Sequence, residues 1–237
     1  MSKSLVSVFS FIFLSNLAFS QNFEAGLTLG LTTYNGDIDV VAQNLGSAMR
    51  PAIGLLGKYR LSNSLLVRGQ ILTGKLSGSE KNHPTAWRQE RGLSFEAKLT
   101  EVSALLEYEV VTKKRFTGFT FGGIGVTYFN PKTDFNLPNK YIDDVNPDAQ
   151  TNYKKITLAV PLGVGLKYSL PNEFYLSAEM GYRFVFTDYL DGISKVGNPD
   201  RKDTYYYTGL TLTKAFGGGK SGANRQFKNG ESNCPKF

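Results

Sequence analysis

Apolar residues recur at every second position along most of the chain, which is the side-chain period of a β-strand. Phe23, Ala25, Leu27, Leu29 and Leu31 alternate with Glu24, Gly26, Thr28, Gly30 and Thr32. Ile53, Leu55, Gly57 and Tyr59 alternate with Gly54, Leu56, Lys58 and Arg60. The same rhythm runs through residues 65–72, 102–110, 156–167 and 174–186. Phe119 and Phe121 precede a Gly-rich strand over 122–129, and Leu210 and Leu212 continue an eighth strand with Tyr205, Tyr206 and Tyr207 at one end. The connectors alternate too. Residues 61–64, 112–115 and 169–173 are short, whereas 35–49, 78–92, 130–154 and 188–203 are long and polar. An up-and-down barrel with one rim in the periplasm and the other outside gives that pattern, with an even strand count. The chain is therefore predicted to be all-β: a single eight-stranded antiparallel transmembrane β-barrel.

A soluble barrel of the lipocalin type has the same period but the opposite dressing, apolar inside and polar outside. Here the non-apolar register holds Glu24, Lys58, Arg60, Arg68, Gln70, Glu107, Glu109, Lys167, Glu179 and Arg183. Acids and bases nearly balance. That mixture suits a narrow lumen filled by ion pairs, with the oily register facing lipid and every backbone group paired around a closed sheet. Glu107 and Glu109 are then expected to be neutralised by Lys58, Arg60, Arg68 or Arg183. Tyr34, Tyr128, Phe129, Tyr182 and Tyr205 to Tyr207 fall near strand ends, where interfacial girdles sit. Pro161 cannot donate to a ladder and is expected at a bulge or near a rim.

The two ends differ from the middle. Lys3, an apolar run over 5–14 and Ala18-Phe19-Ser20 read as a secretory signal peptide over residues 1–20. The run is too short for a spanning helix. The barrel is expected over 21–216, followed by a flexible basic tail over 217–237 that opens on Gly217-Gly218-Gly219. An even strand count and a periplasmic start place that tail in the periplasm.

Composition narrows the chemistry. With one Cys and one His in 237 residues, neither an internal disulfide framework nor a His/Cys zinc site is available. The charge of +7 would permit nucleic acid, but export argues against it. No cofactor and no metal are expected. His83 with Ser77 or Ser79 is the sole candidate for a lipid-modifying site, and no spacing there is diagnostic. Asp143-Asp144, Asp148 and Asp188 lack EF-hand spacing. Gly122-Gly123-Ile124-Gly125 lacks the Lys and helix of a phosphate loop. Cys234 is a leftover thiol in an oxidising compartment, suited to intermolecular pairing or equally an incidental exposed thiol.

A family resemblance adds to this reading. Phe23 to Gly26 and Tyr34-Asn35-Gly36-Asp37-Ile38 resemble the first strand and loop of small Bacteroidota outer-membrane barrels. Tyr182-Arg183 and Thr187-Asp188-Tyr189-Leu190-Asp191-Gly192-Ile193-Ser194 resemble their late-strand signature, with Gly192 where those barrels usually carry a second acid. The end, Cys234-Pro235-Lys236-Phe237, is similar to that of PorG-type barrels of the type IX secretion system. The resemblance implies a non-enzymatic component of that export and gliding-motility machinery. It would tie a periplasmic ring of a PorK-like lipoprotein and its PorN-like partner to the outer membrane and its lipids. It makes Cys234 to Phe237 the expected partner contact, with a disulfide from Cys234 to the ring lipoprotein. The competing expectations are a surface adhesin using the loop over 130–154 and an outer-membrane lipid-modifying enzyme.

Overall fold

The computed structural model describes residues 23–36, 38, 48–81, 83–113, 115–134, 148, 151–194 and 202–216. The signal segment, Asp37, Asp143-Asp144 and the tail with Cys234, Pro235, Lys236 and Phe237 lie outside the described residues. Eight strands follow one another: β1 (Phe23–Asn35), β2 (Arg50–Arg60), β3 (Leu65–Ser79), β4 (Ser94–Lys113), β5 (Phe116–Asp134), β6 (Ile156–Ser169), β7 (Phe174–Val185) and β8 (Thr204–Phe216). A short helix, α1 (Ala86–Arg91), lies between β3 and β4. Each strand pairs antiparallel with its neighbours in sequence, and the barrel closes between β1 and β8, from Phe23 opposite Phe216 to Asn35 opposite Thr204.

The two faces settle which kind of barrel this is. Leu29 is 60% exposed, Leu158 61% and Ile124 70%, while Arg68, Glu107 and Arg183 on the other register are fully buried. Oil is outside and charge is inside, the reverse of a lipocalin. No described helix is long and apolar enough to cross a membrane; strands are the crossing elements such a surface requires.

The strands are unequal. β4 has 20 residues and β5 has 19. At about 3.3 Å per residue, β4 is about 65 Å long, against roughly 35 Å for a tilted strand that crosses a 25 Å apolar band. The open ends of β4 and β5, paired as far as Ser94 opposite Asp134, therefore run on past the start of β6, where Ile156 stands opposite Tyr128, on the long-loop side.

Three expectations change. β5 starts at Phe116, so Phe119 and Phe121 lie within it and point into the lumen. Room for those rings comes from β6: a Cβ on Gly165 would sit 2.3 Å from the Phe119 ring, and one on Gly163 2.4 Å from Phe121. Pro161 lies mid-strand, facing inward, in neither a bulge nor a rim. It pairs opposite Arg183 on β7; on the β5 side the ladder skips from Leu162 to Ala159 without a register shift, so the missing amide costs a local gap only. Lastly, Tyr34, Phe129, Tyr205 and Tyr207 are buried inside, and Tyr128, Tyr182 and Tyr206 alone keep the outward register of a girdle.

Candidate functional site

Because side chains alternate, every second residue of each strand enters a lumen too narrow for bulk water, and a charge there must find a partner. Near the short turns these partners are other charges. Lys58 on β2 donates to Glu107 on β4 at 2.8 Å. Arg68 on β3 grips Glu179 on β7 with two bonds of 2.7 and 2.8 Å and also donates to Gln70 at 2.8 Å. Arg60 donates to Glu109 at 2.7 Å and to Glu24 at 3.3 Å. Lys167 on β6 donates to Glu109 and lies 3.4 Å from Glu24. Higher up, Arg183 on β7 lies over the Tyr207 ring at 5.0 Å, with its Nε 3.9 Å from Glu101. The Tyr205 hydroxyl donates to the same Glu101 at 2.6 Å.

Five cations (Lys58, Arg60, Arg68, Lys167, Arg183) thus face five carboxylates (Glu24, Glu101, Glu107, Glu109, Glu179), in three groups that each hold as many bases as acids. Most of the pairs cross the lumen between strands that are not neighbours. Phe119 and Phe121 lie under Lys58 and Arg68, at 5.3 and 5.2 Å, and fill the space between.

The long-loop mouth is built differently. Tyr34, Leu76, Leu93, Phe95, Phe129 and Tyr205 converge there, and Leu190 and Ile193 from the segment after β7 descend onto them. The Tyr34 hydroxyl sits between Asp191 at 2.7 Å and Asp203 at 2.5 Å. Those carboxylates also accept backbone amides, Ile193 to Asp191 at 3.0 Å and Leu190 to Asp203 at 2.8 Å. Thr133 on β5 donates to the Asp191 carbonyl. The segment over 187–194 is thereby stitched across the opening as a cap. Two glycines fit this stitching. A Cβ on Gly36 would lie 2.0 Å from the Tyr34 hydroxyl, and Gly192 takes φ +87° with Thr133 Oγ1 2.4 Å from where a Cβ would be. The turn at 192 has no room for a side chain.

Tyr153 stacks on Tyr189 at 4.6 Å and lies parallel to Phe129 at 6.4 Å. Burial, followed by the nearby Asp191 charge, pushes the Tyr153 phenol above its ordinary range.

The structure brings Lys58, Arg68, Glu107 and Glu179 into one ion-pair cluster and Arg60 and Glu109 into a second, with Glu24 and Lys167; Arg183 stands above them beside Glu101. Glu109 finds Lys167 as well as Arg60, and Arg183 serves Glu101 rather than Glu107 or Glu109. Of the signature residues, Tyr34, Gly36, Asp188 and Asp191 are buried at the mouth and Tyr189 stacks there. Asp203, Glu101 and Tyr205 belong to these groups and were not marked as site residues by sequence pattern. Asp203 follows a polar loop, where a structural acid resembles any solvated one. Glu101 and Tyr205 sit at inward positions that the period alone could have revealed.

His83 stands apart. Its Nδ1 accepts the Thr85 amide at 3.1 Å, which fixes the turn into α1. Ser79 Oγ accepts the Lys81 amide at 3.4 Å, and no hydrogen bond among the described residues joins His83 to Ser77 or Ser79. No group of three or more His, Cys, Asp or Glu suited to a metal occurs among the described residues.

Comparison with known proteins agrees on architecture. A search of curated proteins finds no match. Among solved structures, Neisserial surface protein A is similar at TM-score 0.53 and 10% identity, over 82% of this chain and 97% of that one. The N-terminal β-barrel domain of Pseudomonas aeruginosa OprF (TM-score 0.43, 14% identity) is covered completely by 84% of this chain. The attachment invasion locus protein Ail of Yersinia pestis (TM-score 0.45, 11% identity) is likewise covered completely by 84% of it. At such identities the likeness to the Neisserial protein speaks for the fold, that of a small outer-membrane barrel. The family model described as a domain of unknown function, DUF6089, matches residues 2–221, and the chain belongs to that family.

Proposed function

We propose that this DUF6089 barrel is a non-enzymatic outer-membrane component of the type IX protein secretion machinery of a Bacteroidota bacterium. It holds the periplasmic lipoprotein ring to the membrane. One observation carries the non-conducting part of this reading: a closed eight-stranded barrel, oily outside, whose lumen is filled by paired charges and whose mouth is capped by the segment over 187–194. Such a barrel suits an anchor and leaves no passage for a folded protein. The assignment to this machinery rests on the sequence resemblance, above all Cys234-Pro235-Lys236-Phe237. In this reading the short turns and the tail face the periplasm, a PorK-like lipoprotein and its PorN-like partner are the neighbours, and Cys234 is disulfide-bonded to the lipoprotein.

Affinity purification of the full chain from native outer membrane, beside a form lacking residues 217–237, tests the proposal. Co-purification of a ring lipoprotein with the full chain alone is expected. Recovery with both forms would move the contact to the periplasmic turns. Recovery with neither, under extraction that preserves the ring, would sink the secretion reading. A thiol-sensitive larger band on non-reducing electrophoresis, lost in Cys234→Ser, is the expected mark of the disulfide.

A surface adhesin is the second reading, favoured by the long ends of β4 and β5 on the long-loop side, from which β5 leads into the loop over 130–154. Deleting residues 135–147 would abolish surface attachment and spare secretion if that reading were right.

A further inference from the structure

The outer surface of the barrel is not equally charged around its long-loop rim. On β3 to β6 the apolar belt ends in ordered steps. Ile71, Val102, Val126 and Leu158 lie opposite one another in register, and Thr73, Thr100, Tyr128 and Ile156 form the next level up. The level above that is cationic. Lys75 stands directly opposite Lys98, and Lys98 opposite Asn130. Asn130 in turn accepts the Lys155 amine at 2.7 Å, and Lys154 is exposed beside it. One level higher, Lys132 stands opposite Glu96.

Five lysines therefore gather against Glu96 and Asp134 on this half of the rim. Glu96 is engaged by Lys75 at 2.8 Å. Lys98, Lys132 and Lys154 have no carboxylate within ion-pair distance among the described residues. Cross-strand like charges such as Lys75 and Lys98 are destabilising unless an anion lies between or above them. Across the barrel at comparable height the outward positions Thr33, Asn35, Pro51 and Tyr206 are uncharged, and Lys202, exposed just before β8, is a single cation against the five. The lysines are thus concentrated on one side, where an apolar belt ends directly beneath them.

That juxtaposition selects its ligand. An inorganic anion would use the charges and ignore the belt; an acyl chain alone would do the reverse. An amphiphile that joins phosphate groups to acyl chains satisfies both, with chains along Ile71, Val102, Val126 and Leu158 and phosphates among the lysines. We propose that this rim of β3 to β6 is a binding site for a phosphate-bearing lipid of the outward-facing leaflet. It is held by Lys75, Lys98, Lys132, Lys154 and Lys155, with Tyr128 at the boundary between chain and headgroup. The proposal rests on the membrane placement given under the proposed function and is independent of the secretion role.

The test uses the full chain in phosphatidylcholine nanodiscs, with native mass spectrometry as readout. Diphosphorylated lipid A, its dephosphorylated form and free pyrophosphate are offered separately. Retention of the diphosphorylated lipid alone is expected. The triple variant K98Q/K132Q/K154Q, all exposed positions, should lose about a hundredfold in affinity, since each lysine at a charged membrane surface contributes roughly fivefold. Equal retention of the dephosphorylated lipid, unchanged binding by the variant, or binding of pyrophosphate in place of the lipid would each overturn the site. Vesicle flotation of the same preparation separates the two readings. A chain that fails to float contradicts the membrane placement itself; one that floats without selecting the phosphorylated lipid contradicts this site alone.

Discussion

The lumen is filled in two chemically different ways. Towards the short turns, long charged side chains meet across the barrel, and each is fixed at its base by a rigid strand. At the mouth, aromatic and aliphatic side chains pack, and carboxylates bond to a phenol and to backbone amides of a descending segment. Charge pairs tolerate a gap filled by a long side chain but not the loss of a partner. The mouth depends instead on shape, because one methyl group in the wrong place separates the cap from the wall. The same period-two pattern thus serves an electrostatic filling at one end and a packed one at the other.

The largest expected effect breaks the electrostatic half. Glu179→Ala removes both strong bonds of the buried Arg68 guanidinium, leaving it Gln70 and Glu107 at 3.6 Å, and should cost about 3–5 kcal/mol, read from urea unfolding in detergent micelles. The double change R68L/E179L should recover much of that loss, because it removes both charges. Equal destabilisation by the single and double changes would show that the pair acts through packing instead.

At the mouth, Gly36→Ala forces a Cβ against Tyr34 and Asp203 and should cost about 1–3 kcal/mol, with new protease cleavage within 187–194 and an unchanged strand spectrum. Tyr34→Phe keeps the ring and deletes the hydroxyl between the two acids. It should cost about 1–2 kcal/mol with the same cleavage pattern. If cleavage stays away from the cap, the two halves do not melt separately.

A pH titration sharpens the comparison with a smaller effect. The Tyr153 phenol is held above its ordinary range when folded, so its contribution is complete below the unfolded value and declines as pH rises through the folded one. Absorbance titration should show Tyr153 ionising later than an exposed tyrosine, and Tyr153→Phe should remove that late phase. The smallest change lies outside both halves. Asn172 and Glu173, in the turn between β6 and β7, take left-handed φ of 58° and 63°. Glu173→Gly should stabilise the barrel by about 1 kcal/mol.

The strands, their order and the lower lumen were legible because one rule governs them: oil to lipid and charge to the inside, every second residue. Lys58, Arg60, Arg68, Glu107, Glu109 and Glu179 obey it, so their meeting could be anticipated, although which acid takes which base could not. Strand alternation does not give the register across a closed barrel, and that register decides the partners. The mouth was misread for a related reason. Tyr34, Phe129, Tyr205 and Tyr207 lie near strand ends, as girdle residues do, but occupy the inward phase. Girdles and plugs share composition and differ by one position. The cap itself depends on Asp191 and Asp203 reaching a phenol far away in sequence, and no local pattern records that contact.

Ion pairs that span the lumen also constrain how the barrel is made. Lys58 with Glu107, Arg68 with Glu179 and Lys167 with Glu24 all join strands that are not neighbours. None of these bonds can exist in a single hairpin, and those of Arg68 with Glu179 and Lys167 with Glu24 need the sheet curled until distant strands face each other. A half-built sheet entering lipid would expose to hydrocarbon the charges whose partners lie on strands not yet in place, each costing several kcal/mol. Closure of the β1–β8 seam brings the last partners together, Lys167 with Glu24 among them. Insertion one hairpin at a time is therefore the costly route, and the favoured one sends the chain across with its seam closing as it enters.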